Sequence, residues 1–287
     1  MFSRKSLFFL ITPSLFLIGF VYIFPIFYEL MLSFYEYTLY TPELTQFVGL
    51  RNYVSVISDT LFLLALKNAL IWTVLSMIFQ VFLGLALALL LYQSFKGKRI
   101  FQVITLLPFA LPPVALAVAW KWLYDPIYGV INYFITAFLG VKPINFFSKD
   151  LALYSVTLVN IWKAFPFYAL FFLAGLASIP NEIFESALID GAGTFSRLRY
   201  ITLPLLKDLI IVLSIFSAIW TFNYFDLIYA MTHGGPAHAT EILATLAYRY
   251  IFYQLRFDYA AATSVIMLLI NAMLVACIIL IGRGGKK

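Results

Sequence analysis

Six long apolar stretches, separated by shorter polar segments, set the pattern of this chain. They cover residues 7–32, 62–91, 100–122, 151–176, 209–230 and 260–281. Each is longer than the roughly 20 helical residues that cross a hydrocarbon core of about 30 Å. Runs such as 81–90 (VFLGLALALL) are apolar on every face, whereas membrane β-strands alternate with a period of two. The pattern predicts an all-α, polytopic bundle of six transmembrane helices in a single domain, 1–287.

Charged residues are scarce and lie mostly outside these stretches. Apolar side chains make up 63% of the sequence and charged ones 11%, against about a quarter in soluble domains. Five of the 32 charged residues fall within the predicted spans: Glu29, Lys67, Lys121, Lys163 and Asp226. We therefore expect a membrane protein surrounded by lipid. The net charge of +6 needs no nucleic-acid partner, because polytopic chains collect Lys and Arg on one membrane face.

The basic residues are divided unevenly between the two sides of the predicted bundle. Five lie on the side opposite the N-terminus, and eleven lie on the N-terminal side. The eleven are Arg4, Lys5, Lys96, Lys98, Arg99, Arg197, Arg199, Lys207, Arg283, Lys286 and Lys287. Because Lys and Arg are enriched in cytoplasmic loops, the count predicts a cell-membrane protein with both termini in the cytoplasm. We expect the first span to be uncleaved, since no small-residue cleavage site follows it.

Polar residues inside the fourth and fifth spans are the first candidates for function. Asn160, Lys163 and Phe167 share one helical face of the fourth span, and a second polar group sits near the end of the fifth. That second group consists of Thr221, Asn223, Tyr224 and Asp226. The residues could form interhelical hydrogen bonds or an ion pair, or they could line a cavity for a polar solute.

Prolines in the third span predict a kink. Pro108, Pro112 and Pro113 lie within six residues and remove backbone donors from the helix. Such kinks are tolerated in membranes where neighbouring groups or cavity water satisfy the freed carbonyls. A solute pathway beside the kink is therefore plausible.

The connection 178–206, on the predicted cytoplasmic side, carries the sequence pattern that says most about function. Pro180 suits a first helical turn, and Gly191 suits a C-terminal cap with positive φ. A short helix is thus expected to end at Gly191. Its apolar face would contain Ile183, Phe184, Ala187 and Leu188, leaving Glu185 and Ser186 on the other side. Such a helix can lie flat on the membrane and contact a partner.

This connection resembles the signature E-A-A-x3-G-x9-I-x-L-P of the membrane subunits of binding-protein-dependent ABC importers. The six matching positions are Glu185, Ala187, Gly191, Ile201, Leu203 and Pro204. Ser186 is the single departure, and Asp190 lies just before the glycine. The resemblance implies a type I importer permease fold and assigns these eight residues to a coupling loop held by an ATPase.

Further motifs resemble the maltose-type carbohydrate permeases over about residues 60–282. They include 160–167 (NIWKAFPF) and the T-x-G-G-P motif at 232–236, which favours the first of two paired permeases. The resemblance implies a sugar site on the third, fourth and fifth spans, where Phe109, Asn160, Lys163 and Tyr224 match. Asn223 and Asp226, which lie within two residues of Tyr224, complete the candidate substrate-binding set.

The implied partners are a second homologous permease, two copies of an ATPase, an extracellular solute-binding protein and a sugar. The sequence lacks G-x-x-x-x-G-K-[ST], so ATP is expected on partner subunits, and the chain itself is predicted to have no cofactor, metal or catalytic residue. A permease for a non-sugar solute such as glycerol-3-phosphate remains an alternative. A secondary transporter would show an intramembrane carboxylate or histidine chain or an inverted repeat, and an enzyme would show a nucleophile and base. Neither pattern is visible, and the single cysteine, Cys277, excludes an internal disulfide.

Overall fold

The computed structural model describes residues 4–41, 43 and 45–283. Lys286 and Lys287, which were counted among the cytoplasmic basic residues, lie outside the described residues. The chain forms two compact units. One contains the residues up to Leu63 together with Leu246–Leu269, and the other contains Leu64–Thr245 together with the residues from Ile270 onward.

Most described residues are helical, as predicted. The helices in chain order are α1 (Arg4–Ile18), α2 (Phe24–Leu32), α3 (Arg51–Ile57), α4 (Thr60–Tyr92), α5 (Lys98–Ala110), α6 (Pro113–Leu123), α7 (Val130–Leu139), α8 (Ala152–Ala177), α9 (Asn181–Ile189), α10 (Thr194–Arg197), α11 (Leu203–Leu205), α12 (Lys207–Phe222), α13 (Asp226–Thr232), α14 (Leu243–Phe252) and α15 (Phe257–Arg283). Two π-helical turns, Gly19–Ile23 and Leu198–Thr202, join neighbouring helices. The sequence pattern did not predict the antiparallel strands β1 (Tyr35–Glu36) and β2 (Gln46–Phe47), which are too short to show a period of two.

The candidate membrane spans agree with the predicted six. Four are continuous in the described part of the chain: Ile11–Leu32, Thr60–Tyr92, Ala152–Ala177 and Phe257–Gly282. Two further candidates are bent helix pairs, so the described helices supply up to six spans if each pair crosses once. The all-α, polytopic fold class is confirmed.

The third span is broken more sharply than a simple kink. Helices α5 and α6 meet at an angle of 98°, with Leu111 and Pro112 between them. Leu111 and Pro112 adopt extended backbone conformations, with ψ of 134° and 137°. Pro112 and Pro113 cannot donate hydrogen bonds, so the helix ends where the prolines were expected to bend it.

The prediction of one unbroken helix over 209–230 was wrong. Helix α12 ends at Phe222 and α13 begins at Asp226, with a non-helical segment between them. The amide of Asn223 donates a 2.8 Å bond to the carbonyl oxygen of Ile219, and such local bonds compete with the helical backbone pattern. At the other end, Thr194–Leu205 bends by 68° relative to α12.

Close helix packing in the second unit depends on a glycine. A Cβ added to Gly84 of α4 would lie 2.7 Å from the Cβ of Tyr168 on α8. Small residues let membrane helices approach closely, since the lipid gives no hydrophobic drive for their association. Around this contact lies a buried cluster of Ala88, Tyr168, Ala169, Phe172, Leu176, Ile179, Leu206 and Leu213.

Side-chain hydrogen bonds and an ion pair stabilise the connections between helices. In the first unit, the amide of Asn52 donates to the carbonyl oxygens of Ser33 and Tyr35 at 2.9 and 2.8 Å. Arg256 makes a two-point ion pair with the buried Asp258, at 2.9 and 2.8 Å. The hydrogen bond with that carboxylate raises the pKa of the Arg256 guanidinium.

Candidate functional site

A cavity of about 460 Å³ opens beside the break in the third span. It is lined by residues of α4, α5, α6, α8, α12 and α13, and of the segments that join α5 to α6 and α12 to α13. Five of the six predicted substrate-binding residues lie on its wall: Phe109, Asn160, Lys163, Tyr224 and Asp226. The volume falls within the roughly 300–1,000 Å³ of ordinary small-molecule sites.

Asn223 is the one predicted member that does not line this cavity. Its amide exchanges 3.4 and 3.3 Å contacts with the side-chain amide of Asn271 on α15. Its bond to the carbonyl oxygen of Ile219 also directs it away from the cavity.

Lys163 joins the fourth span to the broken third span. Its ammonium nitrogen Nζ donates hydrogen bonds of 2.9 Å to the carbonyl oxygens of both Phe109 and Leu111. Nζ also lies 5.4 Å from the centroid of the Phe109 ring. The side chain is buried, with 8% of its surface exposed. The charge is therefore solvated by backbone carbonyls and an aromatic face.

Asn160 belongs to a buried polar network that connects three spans. Its amide nitrogen donates a 3.0 Å bond to Oγ of Ser76 on α4. Beside it, Oγ of Ser217 on α12 donates a 2.7 Å bond to Oε1 of Gln80 on α4. Asn160 therefore lines the cavity and also forms an interhelical hydrogen bond, so both alternatives considered from the sequence fit its position.

Aromatic rings form a row along the cavity wall. Phe109 stacks on Phe167 at 4.7 Å between centroids, and Phe167 stacks on Phe216 at 5.7 Å. Trp220 continues the row at 5.5 Å from Phe216. The rings come from the third, fourth and fifth predicted spans, so the row depends on the packing of all three.

Asp226 supplies the negative charge of the cavity wall. It is the first residue of α13, where the positive end of the helix dipole favours a carboxylate. Among the described residues no ion pair joins it to Lys163, although both line the same cavity. Opposite charges therefore face one cavity from different spans.

The predicted coupling loop has the expected helix and the expected cap. Helix α9 ends at Ile189, and Gly191 adopts φ of +76°. The N–H of Ala192 bonds to the carbonyl oxygen of Ala187 at 2.8 Å, and that of Gly191 to Leu188 at 3.0 Å. This pair of bonds is a Schellman motif, which glycine stabilises because it has no Cβ.

The apolar face predicted for α9 is divided in the structure. Phe184 packs against the buried cluster that contains Leu176 and Leu206, and Ala187 is half-buried. Leu188 and Ile189 face outward with 54% and 87% of their surfaces exposed. Glu185, Ser186 and Asp190 are also exposed.

The end of the signature is attached to the bundle. Ile201 and Leu203 are half-buried and Pro204 is exposed, while the adjacent Thr202 and Leu206 are buried. The C-terminal part of the loop therefore packs against the bundle, whereas Leu188 and Ile189 expose apolar side chains.

The segment 232–241, which carries the T-x-G-G-P motif, is held by a residue on α4. The amide of Asn68 donates to the carbonyl oxygens of His238, Ala239 and Glu241 at 3.3, 3.2 and 3.0 Å. Gly234 has φ of +83°, and a Cβ there would lie 2.7 Å from Oε2 of Glu241. The motif glycine is thus required by both its backbone conformation and its contact with a buried carboxylate.

Sequence reasoning missed several residues of the cavity and its network. They are Ser76, Gln80, Phe216, Ser217 and Trp220. A signal existed for Gln80, because an amide in the middle of a membrane span must find a hydrogen-bond partner. The two aromatic residues gave no such signal, since rings are abundant throughout the chain. No group of three or more His, Cys, Asp or Glu in the described part could hold a metal ion.

Comparison with known proteins places this geometry in a family. Residues 80–283 match the model of the binding-protein-dependent transport system inner membrane component family. The trehalose/maltose transport system permease MalF of Thermococcus litoralis is 37% identical over 84% of this chain and 81% of its own length. The sulfoquinovosyl glycerol permease SmoG of Agrobacterium fabrum is 33% identical over 93% of this chain and 87% of its own. The galactooligosaccharide permease GanP of Bacillus subtilis is 32% identical over 89% of this chain and 65% of its own length.

Solved structures show the same fold. A chain of a bacterial ABC transporter that imports the acidic polysaccharide alginate has a TM-score of 0.85 and 23% identity, covering 98% of this chain and 96% of that chain. The MetNI methionine ABC transporter matches with a TM-score of 0.56 over 78% of this chain and 95% of that chain. Together with the coupling-loop signature, the family match shows that the chain belongs to the binding-protein-dependent transport system inner membrane components, the permease subunits of ABC importers.

Proposed function

We propose that this permease forms half of the translocation pathway for a neutral di- or oligosaccharide. The observation that carries the proposal is the cavity at the break of the third span, with its aromatic row and its polar wall. Sugar rings have apolar faces that stack on aromatic rings and hydroxyl edges that need hydrogen-bonding groups. The stacking surface is supplied by the rings of Phe109, Phe167, Phe216 and Trp220. Asn160 is among the residues that supply hydrogen-bonding groups.

The charges of the cavity favour a neutral solute. Lys163 and Asp226 cancel in formal charge, and the ammonium of Lys163 is already occupied by two carbonyl oxygens. An acidic sugar or glycerol-3-phosphate would need a net positive wall, because a buried anion without a counter-charge is costly. The carbohydrate permeases among the relatives support a sugar, and two of those named above transport uncharged ones by name.

The loop 178–206 is proposed to couple the pathway to an ATPase. Its outward side chains include Leu188, Ile189 and Phe195, the last with 73% of its surface exposed. An exposed apolar patch bordered by charged residues such as Glu185 and Asp190 is typical of a protein interface. The chain would then rely on two copies of that ATPase for ATP binding and hydrolysis, and would need no cofactor of its own.

The chain is further proposed to be the first of two paired permeases, working with a second homologous subunit and an extracellular solute-binding protein. The T-x-G-G-P motif at 232–236 supports this place in the complex. One solved relative by fold is an alginate transporter in complex with a substrate-bound periplasmic protein. Mass measurement of the purified complex tests the pairing, because two copies of this chain in one complex would contradict it.

The orientation is proposed from the distribution of basic residues. A reporter fused after Lys287 or within 96–99 should be cytoplasmic, and one fused near His233 should be external. An external signal from the C-terminal fusion would contradict the orientation.

The substrate class can be tested with the native complex purified through a tag on this chain. In nanodiscs, ATP hydrolysis is measured with the binding protein loaded with trehalose, maltose, galactooligosaccharides, uronic-acid oligosaccharides or glycerol phosphate. We expect stimulation by neutral sugars only. Stimulation restricted to the anionic solutes would overturn the proposal.

A further inference from the structure

The carbonyl oxygen of Phe109 is left without its helical partner by the sequence itself. In an α-helix this oxygen would accept the N–H of the residue four positions later, which is Pro113 and has no N–H. The carbonyl of Pro108 has the same problem with Pro112, and it accepts only a long 3.4 Å bond from Leu111. A broken helix inside a membrane needs other donors for such carbonyls, since lipid offers none.

Lys163, on the neighbouring fourth span, supplies donors to the carbonyl of Phe109 and to a second carbonyl at the break. Two of its three N–H groups are used by the carbonyl oxygens of Phe109 and Leu111, each at 2.9 Å. One acceptor lies in the last turn of α5 and the other within the break, so the ammonium bonds to the end of α5 and to the segment that follows it. Cations are favoured at helix C-termini because the exposed carbonyls carry partial negative charge.

Resting on the proposed function, we infer that Lys163 is a positioning residue. It fixes the wall formed by 109–113 to the fourth span and does not serve as a sugar ligand. It also fixes the first ring of the aromatic row, because its Nζ lies over the Phe109 ring while Phe109 stacks on Phe167. The sugar-facing surface of the third span therefore depends on a residue of the fourth.

Hydrogen exchange of the assembled complex without sugar distinguishes positioning from sugar contact. Lys163→Met keeps an unbranched side chain that is one atom shorter and removes its donors. We expect amide exchange within 111–116 to become about tenfold faster, because charge-assisted hydrogen bonds that order the bend are lost. Lys163→Arg, which retains donors, should restore slow exchange. Lys67→Met is the matched control, since Lys67 is also in a span but is exposed and outside the cavity.

Two results would overturn the inference. Unchanged exchange in Lys163→Met together with lost sugar stimulation would make Lys163 a direct sugar ligand. Unchanged exchange together with normal stimulation would give it no role. Because exchange is measured without sugar, it tests the position of Lys163 even if the wild-type complex carries a different solute.

A second variant covers the case in which Lys163→Met fails to assemble. Pro113→Ala restores the N–H that would be the partner of the Phe109 carbonyl in a regular helix, so the double variant should recover part of the assembled complex. Assembly equally low in the single and double variants would show that Lys163 does not compensate for the proline, and would overturn the inference.

Discussion

The indole Nε1 of Trp72 donates a 2.9 Å hydrogen bond to the carbonyl oxygen of Thr221. Both residues are buried, and Thr221 lies one residue before the end of α12. The bond satisfies a carbonyl at the break of the fifth span, as Lys163 does at the break of the third. Both discontinuous spans are thus stabilised by a donor from a neighbouring helix.

Replacement of Trp72 by Phe should destabilise the complex. The variant keeps an aromatic ring but leaves the Thr221 carbonyl with only its 3.0 Å bond from the N–H of Tyr224. A typical intramolecular hydrogen bond contributes about 0.5–1.5 kcal/mol, so the thermal transition of the complex in nanodiscs should fall. Trp122→Phe is the control, because Trp122 is 71% exposed. Equal transitions for the two variants would show that the indole bond contributes nothing.

The two roles of Asn160 can be separated with its partner Ser76. Ser76→Ala removes the interhelical bond alone, and should cost about 1 kcal/mol in stability with sugar uptake largely retained. Asn160→Leu removes the bond and a polar group of the cavity, so uptake should fall much further while the complex still assembles. Uptake in proteoliposomes and assembly by size exclusion measure both. Equal losses of uptake in the two variants would leave Asn160 with only its packing role.

Some of these features could be predicted from the sequence, and others could not. The spans, the bend at Pro112 and the cap at Gly191 were predictable, because apolar length, missing N–H groups and glycine conformations are local properties of the chain. The break at Asn223 and the partners Ser76 and Trp72 were not, since they depend on which helices become neighbours. Lys163 was found as a polar residue of the cavity, but its carbonyl partners on another span could only be read from the fold.

Gly234→Ala should disrupt the segment that carries T-x-G-G-P. The new Cβ would lie 2.7 Å from the Glu241 carboxylate, and φ of +83° is unfavourable for alanine. Gly140→Ala is the matched control, since Gly140 has φ of +64° but open space around it. We expect the Gly234 variant to lose more thermal stability than the control, and its 233–241 segment to be cleaved faster by an added protease. Equal behaviour would assign the whole effect to φ and none to Glu241.

Two glycines of the coupling loop that differ in backbone conformation can be substituted to test its role. Gly191 has φ of +76°, whereas Gly193 is extended at φ of −67° and ψ of 168°, and a Cβ at either would meet open space. Gly191→Val should strain the Schellman cap by about 1–3 kcal/mol and reorient α9, whereas Gly193→Val should be tolerated. We therefore expect Gly191→Val to insert into the membrane but to retain less ATPase on purification, or to hydrolyse ATP without transport. Glu185→Ala should act in the same direction more weakly, because an exposed ion pair contributes at most about 1 kcal/mol. Normal ATPase retention and normal sugar-stimulated hydrolysis in Gly191→Val would contradict the assignment of this loop to coupling.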